Sequence, residues 1–573
     1  MVVPAVFLGI ARFELFPPPG WVDPEMYLGF FLNFPRALAR FGPDYFSMRL
    51  PWTLMGFAAH RILAPNMANY AMVLSFYYLA IGSAYLIMVP RYGRIGGIAA
   101  AWWLAFNPLW LAAATRGYVD GPAMAFMLAG FACLINRGRL FGHRRDLCLA
   151  GSCWAFAVFT HPMTVFLTAM GGGAWLLGDR PSRSEFVGTA AWVAIGGIAA
   201  TLALATAGSA LGAPFLFFTA YAGTVKHALA GSGMDFIRPA ADWLPGAYRM
   251  IPPFAFVVVG GAFLLSRRDC RAWSGMVLLA VGLMCASIVW LELWNLLTAG
   301  VTFQVSHYSS YLLPAQALVF GAIAGEVSQA QTTDRKDFSL LTALVVSALL
   351  PVLAVERLWQ WEGAWREGLY FWLVPVSLFA LAAIMLFGPH RRIAIPLLML
   401  ATVVAGTANL DTRRIFRAAG NPDYKPYYRA AIRLNDIVQG AGLDGRRLYF
   451  WYNRQAFTTG DARRDAWLIF NHSFAGASMQ LGVLDSLTSI WLWDRTNLNF
   501  DMPHLSAVEA RGIAESAPLV SLVLLCQRQA DCTQGVDALA KQGIATVTRV
   551  RERIVEDRAL DLTVLIVDTV ASQ

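Results

Sequence analysis

The sequence predicts a polytopic α-helical membrane protein that ends in one soluble α/β domain. Its 573 residues are 57% hydrophobic and only 14% charged, with a mean hydropathy of +0.51, whereas soluble proteins are about 25% charged. Charges are also unevenly distributed, with 37 in the 163 positions from Asp411 onward and 44 in the 410 positions before it. This composition excludes a cytosolic enzyme, a disordered chain and a disulfide scaffold.

The first 410 residues contain repeated apolar runs of the length that crosses a bilayer. Runs of about 17–25 residues with few charges predict transmembrane helices. Together with a short run at 1–11, they give 13 predicted spans and a transmembrane domain over residues 1–410. The longer runs lie near 67–90, 95–114, 122–136, 147–160, 163–178, 186–210, 252–266, 273–294, 311–325, 338–355, 369–387 and 393–410.

The distribution of Lys and Arg orients these spans. One set of connections holds 15 basic and 7 acidic residues, whereas the opposite side of the membrane domain holds 11 of each. The basic connections are therefore predicted to be cytoplasmic. The long segments 13–66, 211–251 and 291–310 then face outward. An odd number of spans places 411–573 outside as well, which predicts an inner-membrane protein with its C-terminal domain in the periplasm.

The C-terminal segment 411–573 has a mixed α/β pattern. The segments RRLYFWYN, LVSLVLLC, ATVTRV and LTVLIVD predict strands, and helical patterns lie between them, which favours a small sheet covered by helices. Cys526 and Cys532 are close enough in sequence to pair in an oxidising compartment, although two unpaired thiols fit the sequence as well.

The first outer segment carries an acidic motif. Asp23 stands directly before Pro24, and Glu25 follows. Helix capping explains this order, because Asp favours the N-cap and Pro the first helical position. Apolar side chains then recur at helical spacing, which predicts an amphipathic helix on the outer membrane surface. They are Tyr27, Phe30, Phe31, Phe34, Leu38 and Phe41.

A second acid, Asp120, lies in the short outer turn TRGYVDGP between two apolar spans, near Arg116. An ionisable side chain at the mouth of a helix pair is expensive to place near lipid, so it indicates function. Helix capping is again the alternative, since Gly121 and Pro122 follow. The sequence does not determine whether Asp120 and Asp23 meet in space.

These motifs resemble those of the GT-C superfamily of membrane glycosyltransferases, which includes protein O-mannosyltransferases, lipid A aminoarabinose transferases and bacterial arabinosyltransferases. The acidic motif at 23–27, Arg49-Leu50-Pro51 and Asp120 match the family's pattern, and many members end in an extracytoplasmic domain. The motif match covers about residues 1–130, where an Asp-Pro-Glu replaces the contiguous Asp-Glu of the mannosyltransferases. The resemblance implies transfer of a sugar from a polyprenyl-phosphate donor, with inversion, to a hydroxyl on a glycan, lipid or protein.

Such a reaction needs a carboxylate that accepts the proton of the attacking hydroxyl and cations that hold the leaving phosphate. Asp23 is the first candidate for the base, Asp120 is the second candidate or orients the acceptor, and Glu25 is a further candidate. Arg49 is the first candidate for the phosphate. The other phosphate candidates are Arg116, Lys226 and His307. His161, which precedes Pro162 at the outer end of a predicted span, is interpreted as structural.

Two other functions fit the same composition. A transporter or flippase for a lipid-linked glycan places ionisable residues near mid-membrane, whereas the acids here gather at outer helix ends. A ligase or polymerase that uses a diphosphate-linked glycan is the second alternative. A divalent metal is possible with Asp23, Glu25 and Asp120 but is not indicated by ligand spacing, and nothing suggests a nucleic-acid partner.

Overall fold

A computed structural model describes 22–229 apart from positions 64 and 116, and then 310–329, 447–452, 520–526, 543–557 and 560–570. It also describes isolated positions, chiefly within 257–287, 433–443 and 532–541. The chain forms two compact units. The first contains 1–15, 43–52 and 72–420, and the second contains 16–42, 53–71 and 421–573.

The described helices follow the predicted spans closely. Those predicted over 338–355, 369–387 and 393–410 lie outside the described residues, and those at 1–11, 252–266 and 273–294 are described only at isolated positions or short stretches. The α-helices are α1 Val22–Phe41, α2 Leu50–Ile62, α3 Pro65–Ala105, α4 Pro108–Thr115, α5 Asp120–Ile135, α6 His143–Thr160, α7 Thr164–Asp179, α8 Arg183–Ala210, α9 Ala220–Leu229 and α10 Leu313–Gln329.

Helix α3 is a hairpin that contains two of the predicted spans. Its backbone leaves the helical conformation at Gly93, at φ 69° and ψ −177°. The chain reverses there. A 2.8 Å hydrogen bond from the Tyr77 hydroxyl to the carbonyl of Ala105, 28 residues later, shows that the two halves of the hairpin lie side by side. Among the described residues, two stretches are long and apolar enough to cross a membrane, Met67–Ala105 and Arg183–Ala210.

One end of the helical unit is held together by ion pairs between three connections. Asp179 accepts 3.0 Å bonds from Arg91, in the α3 hairpin, and from Arg137, after α5. These are three of the connections that the sequence predicts on one side of the membrane. The three connections therefore lie together at one end of these helices.

Helices α6 and α8 cross at two glycines that allow backbone contact. A Cβ at Gly151 would lie 1.8 Å from the carbonyl oxygen of Val193, and one at Gly196 would lie 1.9 Å from that of Cys148. Ser152 adds a 3.0 Å hydrogen bond to the carbonyl of Gly196. The absence of side chains at these glycines is therefore what allows α8 to pack this closely against α6.

The connection between α5 and α6 is organised by one buried acid. The Asp146 carboxylate is fully buried and accepts hydrogen bonds from the backbone N–H groups of Gly138, Leu140 and Phe141 at 2.7, 3.3 and 2.9 Å. Replacement of Asp146 by Ala leaves three donors without their acceptor. We expect it to reduce the free energy of unfolding by about 3 kcal/mol.

Thermal unfolding of the full chain in detergent would measure the effect of Asp146→Ala. Glu185→Gln is the matched control, because Glu185 is exposed and only completes the capping box of α8 with Ser182. We expect its effect to be about 1 kcal/mol or less. Equal melting temperatures for the two variants would contradict the role assigned to Asp146.

In the second unit, the apolar face of α1 is packed against protein, whereas its amphipathic pattern predicts that this face covers the outer membrane surface. Tyr27, Phe30, Phe31, Phe34 and Leu38 are all buried. The ring of Phe31 occupies the space beside Gly56 of α2, where a Cβ would lie 2.1 Å from the ring. The ring of Phe34 lies 6.4 Å from that of Phe57. An amphipathic pattern does not reveal which apolar surface covers it.

The described C-terminal residues form a four-stranded sheet. The strands are β1 Arg447–Tyr452, β2 Val520–Cys526, β3 Ala545–Asp557 and β4 Leu560–Val570. Their order is β1-β2-β4-β3, with β1 and β2 parallel and the other pairs antiparallel. All four segments predicted to be strands take part in this sheet. Cys526, at the end of β2, is disulfide-bonded to Cys532.

The disulfide yields a chemical prediction. After alkylation of the unfolded, unreduced full chain, we expect mass spectrometry to find Cys526 and Cys532 unmodified. Cys133, Cys148, Cys153 and Cys285 are free and should all react. Reduction before alkylation should add two labels. Labelling of Cys526 and Cys532 without reduction would contradict the bond and the oxidising compartment that favours it.

Candidate active site

Asp120 begins α5 with a buried carboxylate. The residue is 1% exposed, and its Oδ1 has no hydrogen-bond partner among the described residues. Gly121 brings this first turn against α4, since a Cβ there would lie 2.6 Å from the carbonyl of Ala113. The carboxylate lies at the positive end of the α5 dipole. A buried acceptor atom without a partner is uncommon and indicates a place for a ligand.

His161 caps the C-terminal end of α6 beside this carboxylate. Its Nε2 lies 3.8 Å from Oδ1 of Asp120, and the residue is 6% exposed. The Nδ1 atom accepts a 3.3 Å hydrogen bond from the backbone N–H of Met163. A neutral ring with Nδ1 as acceptor carries its proton on Nε2, which is the nitrogen nearer to Asp120. Because 3.8 Å exceeds a hydrogen-bond distance, Oδ1 keeps its capacity to accept a proton from a substrate.

Two further groups surround the ring of His161. The Thr160 hydroxyl, directly before it, is buried and without a hydrogen-bond partner in the described part of the chain. The ring of Tyr311 lies 5.8 Å from the imidazole, and the Tyr311 carbonyl accepts a 3.2 Å bond from the hydroxyl of Ser287. The pair of Asp120 and His161 is therefore enclosed by protein from several helices.

Arg49 supplies a buried cation in the same unit. It directly precedes α2, is 1% exposed, and lies with its guanidinium carbon 3.8 Å from the centroid of the Tyr45 ring. The turn before it is fixed by Asp44, which accepts backbone hydrogen bonds from Phe46 and Ser47. Burial raises the pKa of the Asp44 carboxyl, and these hydrogen bonds oppose that shift.

Tyr221 is hydrogen-bonded near the end of α6 that carries His161. It lies on α9, outside the spans, and its hydroxyl donates a 2.9 Å hydrogen bond to the carbonyl of Phe159 on α6. Burial raises the pKa of Tyr221 to about 12, and the positive charge of Arg49 opposes the shift. Phe159 is two residues before His161. The hydrogen bond of Tyr221 therefore joins α9 to the end of α6 that carries His161.

Of the other predicted site residues, only Lys226 has a side chain that the structure describes. Asp23 and Glu25 lie in the first turn of α1, but their side chains are outside the described residues, and so are Arg116 and His307. Lys226 is exposed on α9. The segment around it is helical from Ala220 to Leu229.

Several residues of the site were not identified by sequence analysis. The sequence favours a structural role for His161 and does not single out the aromatic residues Tyr45, Tyr221 and Tyr311. The His161-Pro162 pair at the outer end of a predicted span was a usable signal, because it lies on the same side as Asp120. The aromatic residues gave no signal in a chain that is 13% aromatic.

A metal site was also considered. Within the described residues, no three His, Cys, Asp or Glu side chains lie together in a way that would hold a metal ion. The side chains of Asp23 and Glu25, which the sequence analysis associated with a possible ion, are not part of that set.

Comparison with known structures establishes the fold. The crystal structure of ArnT from Cupriavidus metallidurans bound to undecaprenyl phosphate matches 98% of this chain and 97% of its own, with a TM-score of 0.52 and 13% identity. The cryo-EM structure of the arabinofuranosyltransferase AftD from Mycobacteria matches the whole of this chain and 41% of its own, with a TM-score of 0.42 and 15% identity. No protein-family profile and no curated protein sequence matches. The chain therefore shares its fold with the ArnT structure.

Proposed function

We propose that this chain, which shares the GT-C fold of ArnT, is an inverting glycosyltransferase. It transfers a sugar from a polyprenyl phosphate to a hydroxyl acceptor at the outer membrane face. The observation that carries this proposal is the buried Asp120 carboxylate, whose Oδ1 has no hydrogen-bond partner among the described residues and lies 3.8 Å from His161. The ArnT structure with undecaprenyl phosphate supports a polyprenyl lipid as the donor class.

The reaction is a single displacement at the anomeric carbon. The acceptor oxygen forms a bond to that carbon while the bond to the phosphate oxygen breaks, so the configuration inverts. The proton of the acceptor passes to a carboxylate, for which we propose Asp23 or Asp120, with Glu25 as a further candidate. General-base assistance of this kind accelerates a reaction by about 10²–10⁴-fold.

The leaving polyprenyl phosphate carries the negative charge and needs cations in a water-poor place. We propose Arg49 for this role because it is a buried cation in the same compact unit as Asp120. Arg116, Lys226 and His307 are proposed as further phosphate ligands. Of these, Lys226 has an exposed side chain on α9.

The cellular arrangement follows from the charge distribution. We propose an inner-membrane location with the site and residues 411–573 on the periplasmic side, and a C-terminal domain that begins near Asp411. The ion pairs of Asp179 support a common side for the basic turns. The Cys526–Cys532 disulfide supports an oxidising compartment for the sheet.

The experiment that tests the function is a transfer assay with purified full chain in lipid nanodiscs. Radiolabelled sugars on undecaprenyl phosphate are supplied together with envelope glycans, lipids and proteins from a deletion strain. We expect one donor to give a labelled product with inverted anomeric configuration. If no donor is consumed but a lipid-linked glycan crosses the bilayer of proteoliposomes, the chain is a flippase and the proposal is wrong.

His161 is proposed as a positioning residue that orients Asp120 through its Nε2 proton. We expect His161→Leu to lower kcat about tenfold. This corresponds to the loss of one charge-assisted hydrogen bond of about 1.4 kcal/mol, which forms between His161 and Asp120 when substrate closes the site. His161→Gln keeps an N–H donor and should restore most of the rate. Equal loss in both variants would indicate that the ring serves only to fill space.

A further inference from the structure

Exposed arginines are concentrated at one end of the helical unit. The ion pairs of Asp179 with Arg91 and Arg137, both 3.0 Å long, hold together the turn of the α3 hairpin, the α5–α6 connection and the α7–α8 connection. Further arginines in these three connections, and in the first turns of the helices that follow them, are exposed. They are Arg94, Arg139, Arg144, Arg145, Arg180 and Arg183. We call this set the arginine surface.

The acids in the same connections are engaged by other groups. Asp146 accepts three backbone N–H groups of the α5–α6 connection, and Asp179 is shared by the two arginines that pair with it. Glu185 completes the capping box of α8 with Ser182. No arginine of the arginine surface has an ion-pair partner in the part of the chain that the structure describes. Because like charges gathered at one end of a helix bundle repel one another, an external anion would stabilise this surface.

Contacts with α6 and α8 hold part of this surface in place. The hydrogen bonds of Asp146 fix the backbone of the α5–α6 connection on both sides of Arg139. The guanidinium carbon of Arg144, in the first turn of α6, lies 5.2 Å from the centroid of the Trp192 ring on α8. Trp side chains are enriched at the level of the lipid headgroups. A guanidinium at that level can bind phosphate oxygens through two parallel hydrogen bonds.

Exposed apolar side chains lie one turn further into the helices than the arginines. In α8, Phe186 and Val187 follow Arg183 at i+3 and i+4 and are exposed. In α6, the exposed Leu149 follows Arg145 at i+4. Residues at these spacings share a helix face. Each face therefore presents a cation and then hydrocarbon, which matches the phosphate and acyl chains of a lipid better than a soluble anion.

We propose that the arginine surface binds the headgroup of an anionic phospholipid from the leaflet beside it. This inference goes beyond the proposed function and does not depend on it, because it uses no residue of the candidate active site and no property of the sugar donor. The charge distribution of the sequence predicts that this leaflet is cytoplasmic, and cytoplasmic leaflets carry a negative surface potential. The bound phosphate neutralises arginines from several connections, as Asp179 does for Arg91 and Arg137.

Native mass spectrometry of the full chain, titrated with phosphatidylglycerol, tests this proposal. Arg144→Gln combined with Arg183→Gln removes two charges from the arginine surface. Arg61→Gln combined with Arg551→Gln is the matched control, because both residues are exposed and lie outside that surface. One arginine near an anionic membrane changes binding about fivefold, so we expect the first double variant to bind about 30-fold more weakly than the wild type. The control should bind as the wild type does.

A second double variant separates lost charge from disturbed folding. Arg94 and Arg139 have no side-chain hydrogen bond or ion pair among the described residues, so their replacement by Gln removes charge alone. We expect this pair to weaken phosphatidylglycerol binding to a similar extent as Arg144→Gln with Arg183→Gln. Wild-type binding by both pairs would overturn the proposal.

The choice of lipid separates the headgroup from the acyl chains. Phosphatidylcholine with the same acyl chains should bind the wild type weakly and should not displace phosphatidylglycerol. Added salt should weaken the binding of phosphatidylglycerol, because it screens exposed charges. Equal affinities of the wild type for the two lipids would overturn the proposal. Displacement by glycerophosphoglycerol, the soluble headgroup, would also overturn it, because the surface would then hold a soluble anion. Absence of glycosyl transfer would refute the proposed function and leave this result unchanged.

Discussion

Asp120→Asn is expected to lower kcat of glycosyl transfer by about 10²–10⁴-fold, the range for loss of a general base. The substitution keeps the shape of the side chain and removes its ability to take a proton. Asp120 is buried, and its Oδ1 has no hydrogen-bond partner among the described residues. When the amide nitrogen of the Asn variant faces His161, its N–H group meets the nearby Nε2 proton of the ring, so two donors oppose each other. KM for the donor should change little. Single-turnover transfer from the labelled donor measures the chemical step directly.

The control for this variant is Asp179→Asn, at the end of the helical unit where Arg91 and Arg137 converge. It removes the same charge from a part-exposed ion-pair site, so we expect a small loss of stability and a nearly unchanged kcat. If Asp120→Asn retains wild-type kcat and Asp23→Asn abolishes transfer, Asp23 is the base and Asp120 has a structural role. If neither substitution lowers kcat, general-base chemistry by these acids is wrong.

Arg49→Gln is expected to lower kcat by about 10²–10³-fold, the effect of removing one preorganised group that stabilises developing charge. The buried guanidinium on the Tyr45 ring holds a positive charge where water is largely excluded. Such a charge acts on the phosphate more strongly than an exposed one does. We also expect weaker binding of undecaprenyl phosphate. Arg49→Lys should recover only part of the loss, because an ammonium group cannot stack or form a bidentate contact as a guanidinium does.

Arg61→Gln is the control for Arg49→Gln. Arg61 lies at the other end of α2, is exposed, and has its guanidinium carbon 4.9 Å from the Phe57 ring centroid. It should leave kcat and lipid binding unchanged. Melting temperatures of both variants report whether loss of the Arg49 side chain disturbs folding. A stable Arg49→Gln protein with wild-type transfer would show that the phosphate is held elsewhere.

Much of the fold could be predicted from the sequence, because apolar length and charge position follow directly from the properties of a bilayer. The helices from α5 to α8 and the four strands lie where composition and pattern predicted them. The Gly93 reversal was also predictable, since Arg91 and Arg94 mark a connection inside an apolar stretch. The protein surface that covers α1 could not be predicted, because periodicity identifies an apolar face but not the surface that packs against it.

The site was only partly predictable for a similar reason. Asp120 and Arg49 are conspicuous because charges are rare near lipid. The role of His161 depends on the ends of α5 and α6 meeting, and no single-sequence pattern gives a distance between two helix ends. Tyr221 depends in addition on the chain forming α9 after α8, which the glycines around Lys226 did not suggest.

The crossing of α6 and α8 also limits how this protein can be engineered. At Gly151 and Gly196 even one methyl group would collide with a carbonyl oxygen, so alanine there must push the helices apart. His161 ends α6, and any such displacement would be transmitted to its distance from Asp120. Changes to the surface of α8 should therefore be made at Ile198 and Leu202, whose exposed side chains can shrink or grow while the helix spacing stays fixed.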